Sequence, residues 1–137
     1  MEIKNIKATE GTRYHITYHL VWCPKFRRPV LAGRVGERVH TLLGEIAEKW
    51  GFEIVAQEVM PDHVHLFVTA PPAFSPSTVA RLFKGASSYP LKREFPTESK
   101  RHIRKAGTLW SPSYYVGTAG HVSAVVIKRS ILECQHL

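Results

Sequence analysis

The stretch FEIVAQEVMPDHVHLFVTA, residues 52–70, decides the fold. Two apolar runs rich in β-branched residues, 52–60 and 63–70, stand on either side of Pro61-Asp62. Runs of that length separated by a short turn predict two antiparallel strands joined as a hairpin. The flanking segments can be assigned outward from this hairpin.

The segments before the hairpin predict a strand and a helix. Residues 13–23 read RYHITYHLVWC, in which aromatic and β-branched side chains alternate with period two, as in a strand. Apolar residues then recur at helical spacing from Val35 to Trp50, and Gly51 follows as a helix stop. Residues 1–12 are polar and are interpreted as a loose lead-in.

The segments after the hairpin predict a helix, a loop, a strand and a last helix. The first helix begins near Pro76, and Pro90 is expected to kink or end it. Residues 92–105 are basic without apolar periodicity, which favours a surface loop. Residues 113–118 predict a short strand, and a C-terminal helix is expected within 121–137.

The resulting element order is β-α-β-β-α-β-α, which favours an α+β fold. A chain of that order folds well as an antiparallel sheet with helices on one face, in the ferredoxin-like or split βαβ arrangement. The length of 137 residues and the absence of repeats indicate one domain, residues 1–137.

Charge is the outlying property of the composition. Lys and Arg number 19 against 11 Asp and Glu, for a net charge of +8. So basic a small domain favours a polyanionic partner, of which nucleic acid is the commonest. A membrane surface is disfavoured, because binding there would call for a basic amphipathic helix and none stands out.

The remaining composition favours a cytoplasmic protein. Cys23 and Cys134 are far apart in sequence and are interpreted as free thiols of a reducing compartment. The N-terminus has no apolar core of a secretory signal, and no stretch approaches the length of a membrane span.

The sequence His63-Val64-His65 is the sharpest chemical signal. Residues i and i+2 of a strand point to the same face, about 6.6 Å apart along the chain. Two neutral imidazoles placed so can chelate one metal ion and leave positions open for other ligands. Taken alone, such a pair is also found on solvated strand faces, so its surroundings have to decide.

Several separated segments together resemble a known family. They are HITYHLVWCPKFRRPVL (15–31), MPDHVHLFV (60–68), FKGAS (83–87) and LWSPSYYVGTAG (109–120). In this order they resemble the single-tyrosine transposases of the insertion-sequence 200/605 family, which belong to the nucleases with a His-hydrophobic-His motif. The resemblance runs from about residue 14 to residue 135.

The resemblance implies metal-assisted strand transfer on DNA. His63 and His65, with Gln135 of the C-terminal helix, would bind Mg²⁺ or Mn²⁺, and the metal would polarise the scissile phosphate of single-stranded DNA. A tyrosine one helical turn before the Gln would attack, become linked to the 5′ phosphate and release a 3′ hydroxyl that can reverse the reaction. Family members work as dimers and recognise DNA hairpins at transposon ends.

The C-terminal segment departs from the family pattern at the nucleophile. Alignment from Gly120 places Ser130 there, and alignment backwards from Gln135 places Ile131 there. Family spacing is four residues, about 40° apart on a helix, whereas Ser130 and Gln135 are five apart, about 140°. The segment therefore reads as substituted and shifted by one residue.

Several interpretations of this departure stay open. One is a decayed or repurposed copy that binds DNA without nicking it, and another has Tyr114 or Tyr115 as the nucleophile instead. Ser130 could act as a serine nucleophile, although no activating base is near in sequence. An unrelated metal hydrolase acting on a small substrate is a further class, which the charge disfavours.

Other polar residues are candidates for supporting roles. Asp62 could orient an imidazole from the second shell of a metal site or form a turn with Pro61. His15 and His19 are interpreted as solvated or core-bonded rather than as ligands. Phe26 could stack on a base beside the phosphate contacts. The candidate DNA-binding residues are Lys25, Arg27, Arg28, Lys84, Lys92, Arg93, Arg101, Arg104 and Lys105.

Overall fold

A computed structural model describes residues 7–9, 12–14, 16–102 and 109–118. The strands are β1 (Lys7–Thr9), β2 (Thr12–Tyr14), β3 (Thr17–Trp22), β4 (Glu53–Met60), β5 (His63–Thr69) and β6 (Tyr115–Thr118). The helices are α1 (Arg34–Trp50), α2 (Pro76–Glu94) and α3 (Pro96–His102), and a short 3-10 helix spans Lys25–Arg27.

The main sheet is antiparallel, with strand order β4-β5-β3-β6. Strand β5 lies between β3 and β4, the two strands that α1 connects, which is the split βαβ arrangement. The predicted α+β class is therefore confirmed, and so is the hairpin of β4 and β5. Because β5 is central, every side chain on it is flanked by neighbours from both sides.

The hydrophobic core lies between this sheet and two helices. The even-numbered residues of β5, Val64, Leu66 and Val68, are fully buried, and they pair with core residues of β3. The buried face of α1 comprises Val35, Val39, Leu42, Leu43, Ile46 and Ala47. Gly51 ends α1 with a left-handed φ of 73°, as the sequence predicts. Burial of each large aliphatic side chain contributes about 1.5–3 kcal/mol to folding.

The N-terminal lead-in is more ordered than its polarity predicts. Strands β1 and β2 pair in a separate two-stranded sheet, with Thr9 opposite Thr12. The strand predicted over 13–23 is consequently divided, because Tyr14 belongs to β2 and the sheet strand begins at Thr17. That residue pairs with Thr69, the last residue of β5, and one more backbone bond follows, in which the N–H of Ala70 donates to the carbonyl of Ile16 at 3.2 Å.

The prediction that Pro90 ends its helix is wrong, since α2 continues to Glu94, whereas a kink at Pro90 stays a prediction. Proline removes one backbone hydrogen bond and crowds the preceding turn. Burial of Leu91 and a two-point ion pair compensate for that cost: Arg38 of α1 donates to Glu94 from Nε at 2.9 Å and from Nη2 at 3.3 Å. The end of α2 is thereby tied to α1.

The basic surface loop predicted over 92–105 is wrong where the structure describes it. Lys92 and Arg93 lie in the last turn of α2, and Arg101 lies in α3. The continuation of α2 past Pro90 carries the first two into a helix. Arg104 and Lys105 lie outside the described residues.

Two other expectations can be placed on the fold. Cys23 is a buried cysteine in its thiol form, as predicted, whereas Cys134 and the helix expected within 121–137 lie outside the described residues. None of the described helices combines the length and the apolar character that a membrane crossing requires.

Candidate functional site

The sheet face away from α1 and α2 carries a row of aromatic and imidazole rings. As strand alternation predicts, His63 and His65 share this face, and their ring centroids lie 4.8 Å apart with planes at 76°. In the ladder, His65 lies between Glu58 of β4 and Val21 of β3. The central strand thus presents two imidazoles side by side.

Asp62 and Arg27 fix the orientation of His63. Oδ1 of Asp62 accepts a hydrogen bond from Nδ1 of His63 at 2.7 Å, and Oδ2 accepts one from Nε of Arg27 at 2.7 Å. Burial raises the pKa of Asp62, but the bond with His63 and the charge of Arg27 outweigh it and lower that pKa overall. The ionised carboxylate holds the proton of His63 on Nδ1, which leaves Nε2 with a free lone pair.

His19 supports His65 in a similar way from the neighbouring strand. Nε2 of His19 lies 3.3 Å from Nδ1 of His65, and the His19 ring stacks on Phe67 with centroids 4.3 Å apart. His19 is fully buried, so the core-bonded interpretation describes its surroundings. The bond engages Nδ1 of His65 and leaves its Nε2 available.

Burial keeps these two imidazoles neutral. Desolvation, helped by the nearby charge of His65, lowers the pKa of His19 from 6.5 to about 4. Desolvation and the charge of His63 lower the pKa of His65, although the carboxylate of Glu58 acts in the opposite direction. A neutral imidazole is the form that binds a metal ion, so His65 is prepared for that role at neutral pH.

The donor set fits a divalent cation with open coordination positions. Among the described contacts, His63 and His65 each engage Nδ1 and leave Nε2 over, and the carboxylate on Nδ1 of His63 is a usual partner of a metal-binding histidine. Within the described ranges, no group of three His, Cys, Asp or Glu side chains is placed to hold a metal. Further ligands would come from substrate, water or Gln135, which lies outside those ranges.

A short turn next to this site carries several of the predicted DNA contacts. Arg28 is exposed, Lys25 is half-buried, and Nζ of Lys25 lies 5.5 Å from the centroid of the Phe26 ring. The guanidinium of Arg27, in contrast, is engaged with Asp62. The turn therefore contributes both surface charge and a link to His63 through Asp62.

Lys84 lies on α2, in a second basic region. Its Nζ donates to the carbonyl oxygens of Ser111 at 2.7 Å and Ser113 at 3.3 Å, and it stands 5.3 Å from the centroid of Tyr114. A groove of about 340 Å³ is lined here by Ser77, Arg81, Lys84, Gly85, Pro112 and Tyr114. Both Lys84 and the turn at Lys25 are bonded to the segment before β6, Lys84 through Ser111 and Lys25 through Leu109.

Tyr115 stands on the imidazole face, but its hydroxyl is directed along the strand. A side chain at Gly117 would collide with that hydroxyl, so the Tyr115 phenol lies over this glycine. Gly117 pairs with His19, one row of the sheet further from His63 than Tyr115 itself. Ser130 and Ile131, the residues that the two alignments place at the position of the family tyrosine, lie outside the described residues.

The sequence does not reveal two of the contacts around the imidazoles. His19 meets His65 only through the pairing of β3 with β5, and Arg27 meets Asp62 across 35 residues of chain. The available signals were the position of His19 on the polar face of its strand and the adjacency of Asp62 to His63.

Comparison with known proteins gives one consistent family. The family model described as "Transposase IS200 like" matches residues 12–133. The ISDra2 transposase TnpA of Deinococcus radiodurans is 36% identical over 131 residues, covering 96% of this chain and 91% of that protein. A transposase for insertion sequence element IS200 of Salmonella typhimurium is 30% identical over 120 residues, covering 88% and 78%.

Solved structures show the same fold. A crystal structure of a transposase from Deinococcus radiodurans aligns with a TM-score of 0.83 at 36% identity, covering 95% of this chain and 98% of that one. A REP-associated tyrosine transposase bound to a REP hairpin aligns with a TM-score of 0.55 at 17% identity, covering 90% and 68%. The second likeness concerns the fold alone.

Proposed function

Because the chain belongs to the IS200-like transposase family, we propose that it binds single-stranded DNA hairpins at transposon ends. We further propose that His63 and His65 hold a divalent cation, Mg²⁺ or Mn²⁺, beside the scissile phosphate. One observation carries the metal assignment: both imidazoles share a sheet face with Nδ1 engaged, and Nε2 has no hydrogen bond to any residue that the structure describes.

The residues of the site divide the work of phosphoryl transfer. A bound divalent cation supplies positive charge that polarises the scissile phosphate. His63 and His65 would hold this cation. Asp62 fixes the orientation of His63, and buried His19 supports His65. The net charge of +8 attracts the DNA backbone toward the site.

In the strand-transfer step, a hydroxyl oxygen of the protein attacks phosphorus and forms a bond to the 5′ phosphate. The bond from phosphorus to the 3′ oxygen breaks; the attacking hydroxyl gives up one proton and the departing oxygen takes up one, so it leaves as the 3′ hydroxyl. Ser130 is the hydroxyl residue at the nucleophile position when the chain is aligned from Gly120, and Gln135 is the candidate for a further metal ligand when the chain is aligned from its C-terminal end. Tyr115 supports this step less well, because its hydroxyl lies over Gly117.

A second candidate function is favoured by one observation: residues 119–137 contain no tyrosine. On this alternative the chain is a non-catalytic DNA-binding protein with the family fold. It would recognise the same hairpins through its basic groups and make no covalent link to DNA.

One assay separates the two candidates. The protein is incubated with Mn²⁺ and a labelled hairpin oligonucleotide that has single-stranded flanks, and a denaturing gel is scored for a covalent adduct. An adduct that disappears in Ser130→Ala supports strand transfer with that nucleophile. Hairpin binding without any adduct supports the non-catalytic alternative.

The metal assignment has its own test. The double variant His63→Ala, His65→Ala should abolish Mn²⁺ binding in calorimetry while much of the DNA affinity remains, because phosphate contacts supply most of it. His40→Ala, which removes an exposed histidine of α1, is the matched control. An unchanged Mn²⁺ titration in the double variant would refute the assignment.

The assembly and location belong to the same proposal. We propose a homodimer of single-domain chains spanning 1–137, acting in the cytoplasm without a membrane partner. Light scattering of the purified chain measures the dimer directly, and a monomeric mass would contradict it.

A further inference from the structure

We propose that the turn formed by residues 25–28 is a platform for one unpaired base of single-stranded DNA. The Phe26 ring would stack on the base next to the phosphate at His63. This inference rests on the proposed function. It assigns a substrate contact to the turn 25–28, which does not itself bind the metal.

The backbone of the turn is held in an unfavourable conformation. Phe26 has a φ of 58° and Arg27 has a φ of 52°, both in the left-handed region that residues other than glycine rarely adopt. Such strain persists only where the surroundings enforce it, and it is concentrated at functional sites. Burial of the ring does little to offset this strain, because Phe26 is 57% exposed.

The surroundings enforce this conformation from two directions. On one side, the backbone N–H of Lys25 donates to the carbonyl of Leu109 at 2.8 Å, and Pro24 forms a bridge with Trp110. On the other side, Arg27 donates to Asp62 at 2.7 Å. The turn is therefore fixed both to the segment that precedes β6 and to the partner of His63.

The exposed chemistry of the turn matches an unpaired nucleotide. An aromatic ring offers a stacking surface for any base, and basic groups beside it suit the phosphates on either side. Lys25 lies over the Phe26 ring and Arg28 is exposed next to it. A duplex would hide its bases from such a ring, so the platform favours single strands.

The position of the platform ties it to the reaction centre. Phe26 is the chain neighbour of Arg27, which reaches His63 through a single carboxylate. A base stacked on Phe26 would consequently place the adjoining phosphate near the two imidazoles. Because the turn is anchored on both sides, the base would meet a surface that is already formed, at little cost in ordering.

The test compares two strands that differ only in their bases. Fluorescence anisotropy of the full chain is measured with labelled dT20 and with an abasic strand of the same number of phosphates. Phe26→Leu, which keeps an apolar side chain but removes the ring, should weaken dT20 binding about tenfold and leave abasic binding unchanged. Phe26→Trp should retain the preference for dT20. Tyr89→Leu is the control, since Tyr89 is an exposed ring on α2.

The outcomes separate this inference from the proposed function. If the unaltered chain prefers dT20 and Phe26→Leu leaves that preference intact, the platform is overturned while DNA binding stands. If the unaltered chain binds neither strand, the proposed function itself fails. A large loss of thermal stability in Phe26→Leu would show that the ring serves folding, and it would also overturn the platform.

Discussion

His63 is oriented by charge as well as by its strand. The carboxylate of Asp62 receives one hydrogen bond from this imidazole and one from Arg27, so the three groups form a continuous chain. The Arg27 and Asp62 side chains are 22% and 29% exposed, which leaves the pair only partly screened by water. Removal of the guanidinium would free the carboxylate to rotate.

Arg27→Ala is therefore expected to weaken Mn²⁺ binding about tenfold to hundredfold, the usual cost of losing a group that orients a metal ligand. Calorimetric titration measures the change. Arg28→Ala is the matched control, because Arg28 is exposed beside it and should affect DNA affinity alone. An equal Mn²⁺ affinity in the two variants would contradict the positioning role.

The buried imidazole of His19 makes stability depend on pH. Its pKa of about 4 lies below the 6.5 of an unfolded chain, so between these values the unfolded state binds the proton more readily. The contribution of His19 to the free energy of unfolding is therefore fully present above about pH 6.5. That free energy falls by about 3 kcal/mol as the pH falls to 4. Urea unfolding at pH 7 and pH 4.5, with a chelator present, measures the difference.

His19→Phe is the comparison for this pH dependence, because a phenyl ring can stack on Phe67 but cannot titrate. The variant should lose less stability on acidification than the unaltered chain. Part of the dependence should remain in it, since burial also lowers the pKa of His65. Identical losses in both proteins would show that His19 is not responsible.

At the level of single residues, the sequence pattern predicted which side chains share a face of one strand, but it did not predict contacts between residues of different strands. His63 and His65 follow from alternation along β5. The meeting of His19 with His65 depends on strand pairing, which brings together residues 46 positions apart. The left-handed φ of Phe26 is imposed by anchors at Leu109 and Asp62, and no local sequence rule encodes them.

At the level of elements, α2 shows a local signal overruled by tertiary contacts. Pro90 should stop a helix, yet burial of Leu91 and the ion pair of Glu94 with Arg38 keep the last turn helical. The helix of α1 was predicted correctly, since its apolar face is continuous and Gly51 ends it. Local propensity is decisive only where packing does not oppose it.

The cost that Pro90 imposes on α2 should be recoverable. Pro90→Ala restores a donor for the carbonyl four residues earlier and relieves the crowding of the ring, so we expect a gain of about 1–3 kcal/mol. Urea unfolding measures it. Pro76→Ala is the control. The N–H of the first helical residue has no acceptor within the helix, so proline there removes no hydrogen bond and its replacement should give no comparable gain. A loss of stability in Pro90→Ala would mean that the ring packs productively.

At the level of the whole molecule, the excess of positive charge governs binding to DNA. Neutralisation of phosphates by Lys and Arg releases counterions, so the logarithm of the affinity for single strands should fall linearly with the logarithm of the salt concentration. Anisotropy titrations between about 50 and 200 mM salt measure the slope. A flat response would mean that the charge of +8 takes no part in binding.

The two faces of the sheet have separate duties. Val64, Leu66 and Val68 point into the packed layer beneath the helices, whereas His63 and His65 point to the opposite side. Substitutions on the imidazole face can consequently abolish the chemistry while the protein still folds and accumulates. A stable, folded protein that has lost its reaction in this way is available for another function in the cell that carries it.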